Sequence, residues 1–312
     1  MDQSALEQYL RVRRAAVDRA LERFLKVYPG QTQAIFQAMR YGLFPGGKRI
    51  RPILTLSAGE MFGAKQKDLL PFACAVEMIH AYSIIHDDLP ALDDDDLRRG
   101  QPTAHKVFGE GMALLAGDGL LTEAFHLISG PHMLRSVPAP LMVHLIHELA
   151  HAAGVAGLVG GQAVDLEMEN KEVDVATVEY IHVRKTGALI LAATRIGAQV
   201  AGAAATDLRK ISKYGEYLGL AFQIADDILD SLGETAAGEG AESGYNERKK
   251  ATYPSVLGIV QATERLEELL RQCCGELASF GAAAEPLRAI AQHVVARAMP
   301  IKGKSFAEET NF

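Results

Sequence analysis

The sequence predicts an all-α fold. Apolar residues recur at helical spacing along most of the chain. Alternation of period two is nowhere sustained, and no Asn-Gly hairpin signal occurs. The chain has 312 residues, 48% of them hydrophobic and 23% charged, which suits one large globular domain or two small ones. The expectation is a single domain over 1–312, a bundle of roughly ten or more helices.

The first helix opens with Ser4 and Glu7 in a capping-box pattern, and Leu6, Leu10, Val17, Leu21 and Phe24 follow at helical spacing. Pro29-Gly30 ends it, and Thr32 caps a second helix with Ile35, Phe36 and Met39 on one face. Phe44 to Pro52 reads as a turn, with Pro52 at the first position of a third helix that ends near Gly63. A fourth runs from about Asp68 into an acidic cluster. Further helical patterns cover roughly 105–129, 138–158, 174–203, 207–232, 253–279 and 283–299. Between two of them lies 233–251, rich in Gly, Glu and Ser; its length and position point to a lid.

Two acidic clusters carry the chemistry. Asp87-Asp88-Leu-Pro-Ala-Leu-Asp93 runs on into Asp94, Asp95 and Asp96, and the second cluster is Asp226-Asp227-Ile-Leu-Asp230. Each follows an apolar helical run. Carboxylates packed at such a place repel unless hydrated, protonated or neutralised by a cation. Asp226 and Asp230 share one face of a helix. Pro90 breaks the helix of the first cluster, so the chain can bend and return Asp93 to Asp87. All-oxygen ligands with no Cys/His cluster nearby suit Mg²⁺ rather than zinc, and Mg²⁺ takes phosphate as a further ligand. The candidate ligands are Asp87, Asp88, Asp93, Asp226 and Asp230; Asp94, Asp95 and Asp96 read as a solvated helix end.

Basic residues should then surround a diphosphate. Arg98 and Arg99 follow the first cluster, and a guanidinium fork suits phosphate oxygens. A salt bridge to the aspartate run is the alternative for either arginine. Lys48 and Arg51 sit beside Gly46-Gly47, where backbone N–H groups can approach an anion. Lys185-Thr186 lies among small and apolar residues, and Gln223 lies one turn before Asp227.

DDxxxxD followed by LRRG, and a later DDxxD, resemble the two aspartate-rich motifs of trans-prenyl diphosphate synthases. GGKRIRP (46–52), GDGLL (117–121), GGQAVDLE (160–167), KTGALI (185–190) and FQIADDILD (222–230) extend the match in family order. The chain looks closest to the bacterial farnesyl diphosphate synthases of that family. The resemblance implies an isoprenoid-synthase bundle around a central cavity, about three Mg²⁺ ions per active site once substrate is bound, and a homodimer. It implies that Lys48, Arg51, His80 and Arg99 hold isopentenyl diphosphate and that Arg98 holds the allylic diphosphate. Lys185, Thr186 and Gln223 would line the cavity where an allylic cation forms. The implied reaction condenses the two diphosphates, and the leaving diphosphate takes the final proton. A Tyr-Ser pair at Tyr82 and Ser83, before Asp87, resembles that of the farnesyl synthases and implies a fifteen-carbon product, with Tyr82 in the floor of the tail pocket; geranylgeranyl diphosphate is the alternative. One departure stands out. Lys250-Ala-Thr252-Tyr253-Pro254 is kept, with Lys250 as a phosphate ligand, but Gly240 and Tyr245 replace the lid Lys and Asp of the family pattern. An inert or regulatory subunit is the second reading that this departure raises.

A net charge of -7 argues against nucleic acid and against a polybasic membrane patch. Cys74, Cys273 and Cys274 form no disulfide framework, so a reducing cytoplasm is expected. The opening MDQSALEQYL has no signal-peptide pattern, and the best candidate for a membrane span, Ala188 to Ala205, is interrupted by Arg195 and Gln199. One motif points elsewhere: His147-Glu148-Leu-Ala-His151 reads H-E-x-x-H, with Glu169 or Glu172 as a third ligand, the pattern of a zinc peptidase.

Overall fold

The computed structural model describes residues 1–26, 33–44, 46–233 and 252–299, and these are almost entirely helical. The chain runs through α1 (Gln3–Phe24), α2 (Gln33–Leu43), α3 (Ile50–Met61), α4 (Gln66–Asp87), α5 (Ala104–Phe108), α6 (Glu110–Ser129), α7 (Ala139–Ala153), α8 (Leu158–Glu167) and α9 (Val175–His182). It continues through a π turn (Val183–Gly187), α10 (Ala188–Val200), α11 (Ala205–Ser231), α12 (Tyr253–Leu257), α13 (Ile259–Glu276) and α14 (Glu285–Ala296). A two-residue hairpin pairs Leu97–Arg98 with Gln101–Pro102. Pro29-Gly30, Thr32, Lys250 and nearly all of the expected lid, 234–251, lie outside the described residues.

The helices close on one contiguous apolar core. Helix α4 runs through it. It packs on α3 and α6, while α10 packs on α3 and α11, and α11 on α13. Helix α4 is long and apolar enough to cross a membrane, yet 78% of that stretch is buried against its neighbours. The stretch Ala139–Glu167 passes the same test with 39% buried, and it is two helices, α7 and α8, separated near Gly154. Both are the apolar faces of a packed bundle.

Several element ends differ from the sequence reading, each for a local reason. Helix α1 starts earlier than Ser4: Asp2 is the cap, and its side chain accepts from the Ala5 backbone N–H. Helix α3 also starts early, so Pro52 is its third residue; that N–H would have no helical partner in any case. The expected helix 105–129 is cut at Gly109 (φ 83°), and 253–279 at Gly258 (φ 81°). Both glycines take a left-handed turn that L-residues disfavour.

The continuous pattern over 174–203 hides the most consequential irregularity. At Val183–Gly187 the helix widens into a π turn, a feature that often marks functional sites. Glycines on both flanking helices let it sit there. A Cβ on Gly161 of α8 would fall 2.3 Å from the Lys185 backbone nitrogen, and one on Gly219 of α11 would fall 2.7 Å from the Gly187 Cα. Gly161→Ala should therefore destabilise the protein by about 1–3 kcal/mol through overpacking. Gly275, exposed on α13 with open space around it, is the control: Gly275→Ala should be neutral or stabilise by up to about 1 kcal/mol. Urea unfolding of the two variants checks both.

Candidate active site

Helices α4 and α11 each carry an acidic cluster toward their C-terminal ends. The partial negative charge at the C-terminal end of α4 makes the first cluster costlier still. After Asp87 the chain turns back on itself, and the Asp93 backbone N–H donates to the Asp87 carbonyl at 2.8 Å. The bend expected of Pro90 is therefore present, and it brings Asp93 beside Asp87.

Between these helices lies a cavity of about 480 Å³. Its walls include Lys48, Arg51, His80, Arg98 and Arg99 from one side and Thr186, Gln223, Asp226 and Asp230 from the other. Ile84, Phe222 and Leu229 supply apolar surface. The size suits a small-molecule ligand. Asp87, Asp93 and Lys185 are not in the wall, but both acids lie near enough to Lys185 to favour its charged form.

The GGKR turn is fixed by Arg49, a residue that sequence reasoning passed over. Its backbone is left-handed (φ 52°) and its side chain is buried. The guanidinium donates to Asp18 at 2.9 Å, Glu77 at 2.6 Å and the Leu43 carbonyl at 2.7 Å. This clamp turns Lys48 and Arg51 into the cavity. Arg51 Nη1 lies 3.4 Å from His80 Nε2. Burial holds the His80 ring well below its usual pKa, and the charge of Arg51 adds to the effect. Gly47 (φ 102°) lets the Arg99 guanidinium lie against the turn, where a Cβ would meet Nη1 at 2.7 Å.

Several acids at and around the cavity have a basic partner. Asp88 is buried, and its Oδ1 accepts from Arg98 Nε at 2.6 Å; Arg98 Nη2 donates to Asp95 at 2.6 Å. The salt-bridge alternative thus holds for Arg98. Asp94 to Asp96 are not simply a solvated helix end, because α4 has already finished at Asp87; Asp95 lines the cavity and Asp96 pairs with Lys106 at 2.6 Å. Burial raises Asp88 to about 7 despite Arg98. Lys185 Nζ donates to Asp165 at 2.7 Å, and Asp226 accepts from Arg297 at 3.2 Å. Burial likewise raises Asp226 to about 6 and Asp227 to about 7. Asp165 and Arg297 were missed from sequence. Asp165 lies inside the GGQAVDLE motif and was legible there; Arg297, the residue just after α14, carries no local motif.

In the cavity wall the Thr186 hydroxyl donates to Gln223 Oε1 at 2.8 Å, and Gln223 Nε2 donates to Asp227, behind it, at 3.0 Å. Tyr82 is buried edge-on to His86, with ring centroids 5.7 Å apart, and its hydroxyl has no hydrogen-bond partner among the described residues. Ser83 is also buried; its hydroxyl donates to the His80 carbonyl at 2.9 Å.

No three His, Cys, Asp or Glu side chains converge into an all-protein metal cage among the described residues. Asp226 and Asp230 of α11 and Asp95 of the first cluster face an open, phosphate-sized cavity, a set that fits Mg²⁺, which prefers one or two carboxylates with phosphate and water. The H-E-x-x-H pattern does not make a zinc site. Glu148 is held by Arg195 and Gln199, with His144 Nε2 at 3.7 Å, and His147 and His151 are exposed. The glutamate is an ion-pair anchor between α7 and α10, and the zinc-peptidase reading falls.

The polyprenyl synthetase family profile matches residues 32–287. A farnesyl diphosphate synthase from Geobacillus stearothermophilus is 48% identical over 85% of this chain and 89% of its own length. A geranylgeranyl diphosphate synthase from Cyanophora paradoxa is 43% identical over 93% of this chain and 95% of its own. The crystal structure of an FPP/GFPP synthase from Zymomonas mobilis superposes with a TM-score of 0.84 at 35% identity, covering 94% of this chain and 99% of that one. A helical bundle with two carboxylate clusters around a basic cavity defines the class of isoprenoid synthases. Within it, this chain belongs to the polyprenyl synthetase family and is a prenyltransferase.

Proposed function

We propose that the protein is a Mg²⁺-dependent farnesyl diphosphate synthase. The observation that carries this reading is the single cavity that sets Asp226 and Asp230 against Lys48, Arg51, His80, Arg98 and Arg99, beside apolar surface. Lys48, Arg51, His80 and Arg99 bind the diphosphate of isopentenyl diphosphate by charge and bidentate hydrogen bonds. Arg98 and Lys185 serve the allylic diphosphate, each by exchanging an aspartate partner for phosphate oxygens. Asp87, Asp93, Asp226 and Asp230 hold Mg²⁺, and Asp88 stands behind them on Arg98. Bound Mg²⁺ supplies Lewis acidity and charge neutralisation to the departing diphosphate.

The allylic C1–O bond breaks and its electron pair leaves with the diphosphate. The double bond of isopentenyl diphosphate attacks C1, and the proton then lost goes to the leaving diphosphate. The Thr186 and Gln223 dipoles face the positive charge that develops between these steps. Such a cavity with both clusters present favours an enzyme over an inert subunit. Leu115 and Val143, 55% and 68% exposed on α6 and α7, and Val155, 83% exposed just beyond α7, favour a homodimer through this face. The three free cysteines favour a cytoplasmic setting.

The purified protein, given isopentenyl diphosphate, geranyl diphosphate and Mg²⁺, should form farnesyl diphosphate. Asp226→Ala should lower turnover at least about a thousandfold while leaving the fold intact. Chelation should abolish turnover and added Mg²⁺ restore it. Full activity after chelation would rule out this mechanism.

Chain length is set where the growing tail runs along α4, away from the Asp87 end. One helical turn rises about 5.4 Å, close to one extended isoprene unit. Tyr82 lies in that turn and its ring forms the stop. Because its hydroxyl makes no hydrogen bond among the described residues, truncation removes volume without orphaning a partner. Tyr82→Ala should lengthen the product by one or more isoprene units, seen by chromatography of the dephosphorylated alcohols. An unchanged product would remove Tyr82 from the argument.

A further inference from the structure

Asp227 differs in kind from its neighbour Asp226. It is 4% exposed, and its two oxygens receive two hydrogen bonds, with a buried histidine ring close by. Gln223 Nε2 reaches Oδ1 at 3.0 Å, the Tyr253 backbone N–H reaches Oδ2 at 2.8 Å, and His182 Nε2 lies 3.3 Å from Oδ2. The His182 ring is buried, its Nδ1 has no partner among the described residues, and it stacks on Tyr253. Nε2 is thus the ring nitrogen that faces Asp227.

These contacts fix the polarity of a chain of hydrogen bonds. The Gln223 amide presents its nitrogen to Asp227 Oδ1. Its oxygen then faces the other way and takes the Thr186 hydroxyl hydrogen at 2.8 Å. The Thr186 proton is committed away from the cavity, and the lone pairs of that oxygen are left for it. Thr186 sits in the π turn, whose widened backbone brings it into the cavity wall.

We propose that Asp227 is a positioning residue and not a metal ligand: through Gln223 it sets the direction of the Thr186 hydroxyl, and with His182 it pins α12 to the cavity wall. The claim rests on the prenyl-transfer reading only for what the Thr186 oxygen faces, the positive charge developing on the allylic carbon. Asp226 is the contrasting case, a carboxylate at the cavity surface whose partner, Arg297, also lines the cavity.

The test separates binding from turnover. Inorganic pyrophosphate is titrated with Mg²⁺ into wild type, Asp226→Asn and Asp227→Asn by calorimetry. Asp227→Asn should bind within about threefold of wild type, and Asp226→Asn at least about tenfold more weakly. In steady-state kinetics Asp227→Asn and Thr186→Val should each lower kcat about ten- to a hundredfold, and the double variant should be no worse than about threefold below the poorer single. Pyrophosphate affinity lost equally in the two Asn variants would make Asp227 a ligand and overturn the proposal. Losses that multiply in the double variant would overturn it too. Should Asp227→Asn fail to fold, Gln223→Met with Thr186→Val gives the same non-additivity reading. If the wild type forms no condensation product, the functional reading fails, and the pyrophosphate comparison still decides whether Asp227 is a ligand.

Discussion

The structure depends on keeping carboxylates next to one another in a low-dielectric cavity without metal. Each solution is an ion pair from a different element: Arg98 on Asp88, Lys185 on Asp165 and Arg297 on Asp226. These pairs are only part-buried, so losing one member costs less than in a fully buried pair, where the survivor is left charged and unsolvated. The same cations are the groups that a diphosphate needs. A polyanion arriving with a divalent cation can exchange partners throughout the cavity: the acids turn to metal and the bases to phosphate. Neither ligand alone offers that exchange in full.

The scaffold serves this charge arrangement through two backbone irregularities. Arg49 holds a left-handed conformation against Asp18, Glu77 and the Leu43 carbonyl, and so aims Lys48 and Arg51. The π turn at Val183–Gly187 aims Thr186 and brings Lys185 to Asp165. Both are conformations that an ordinary helix or loop would not adopt unaided, and each is held in place by neighbours, whether buried ion pairs or flanking glycines. The long helices α4 and α11 do the remaining positioning through their packing in the core.

Much of this was legible in the sequence, and what was not has physical causes. Helical periodicity gave the elements because most of them bury one face. It merged α5 with α6 and α12 with α13, since a single glycine breaks a helix without disturbing the apolar period. The return of Asp93 to Asp87 was readable from Pro90, a local effect. Arg297 and His182 were not, because their partners lie 71 and 45 positions away in sequence (226 from 297, 182 from 227) and only packing brings them together. The H-E-x-x-H pattern misled for the opposite reason. Its spacing is a local property, whereas a zinc site also needs a third ligand from another element and a free Glu as base; no third ligand converges there among the described residues, and Arg195 holds Glu148.

The exchange of partners in the cavity implies that diphosphate and divalent cation strengthen each other's binding there. Calorimetric titration of inorganic pyrophosphate into the wild-type protein, with Mg²⁺ and without it, tests this most directly. The account predicts that Mg²⁺ tightens pyrophosphate binding by at least about a hundredfold, a coupling of roughly 2.7 kcal/mol. Equal affinity in the presence and absence of Mg²⁺ would contradict it.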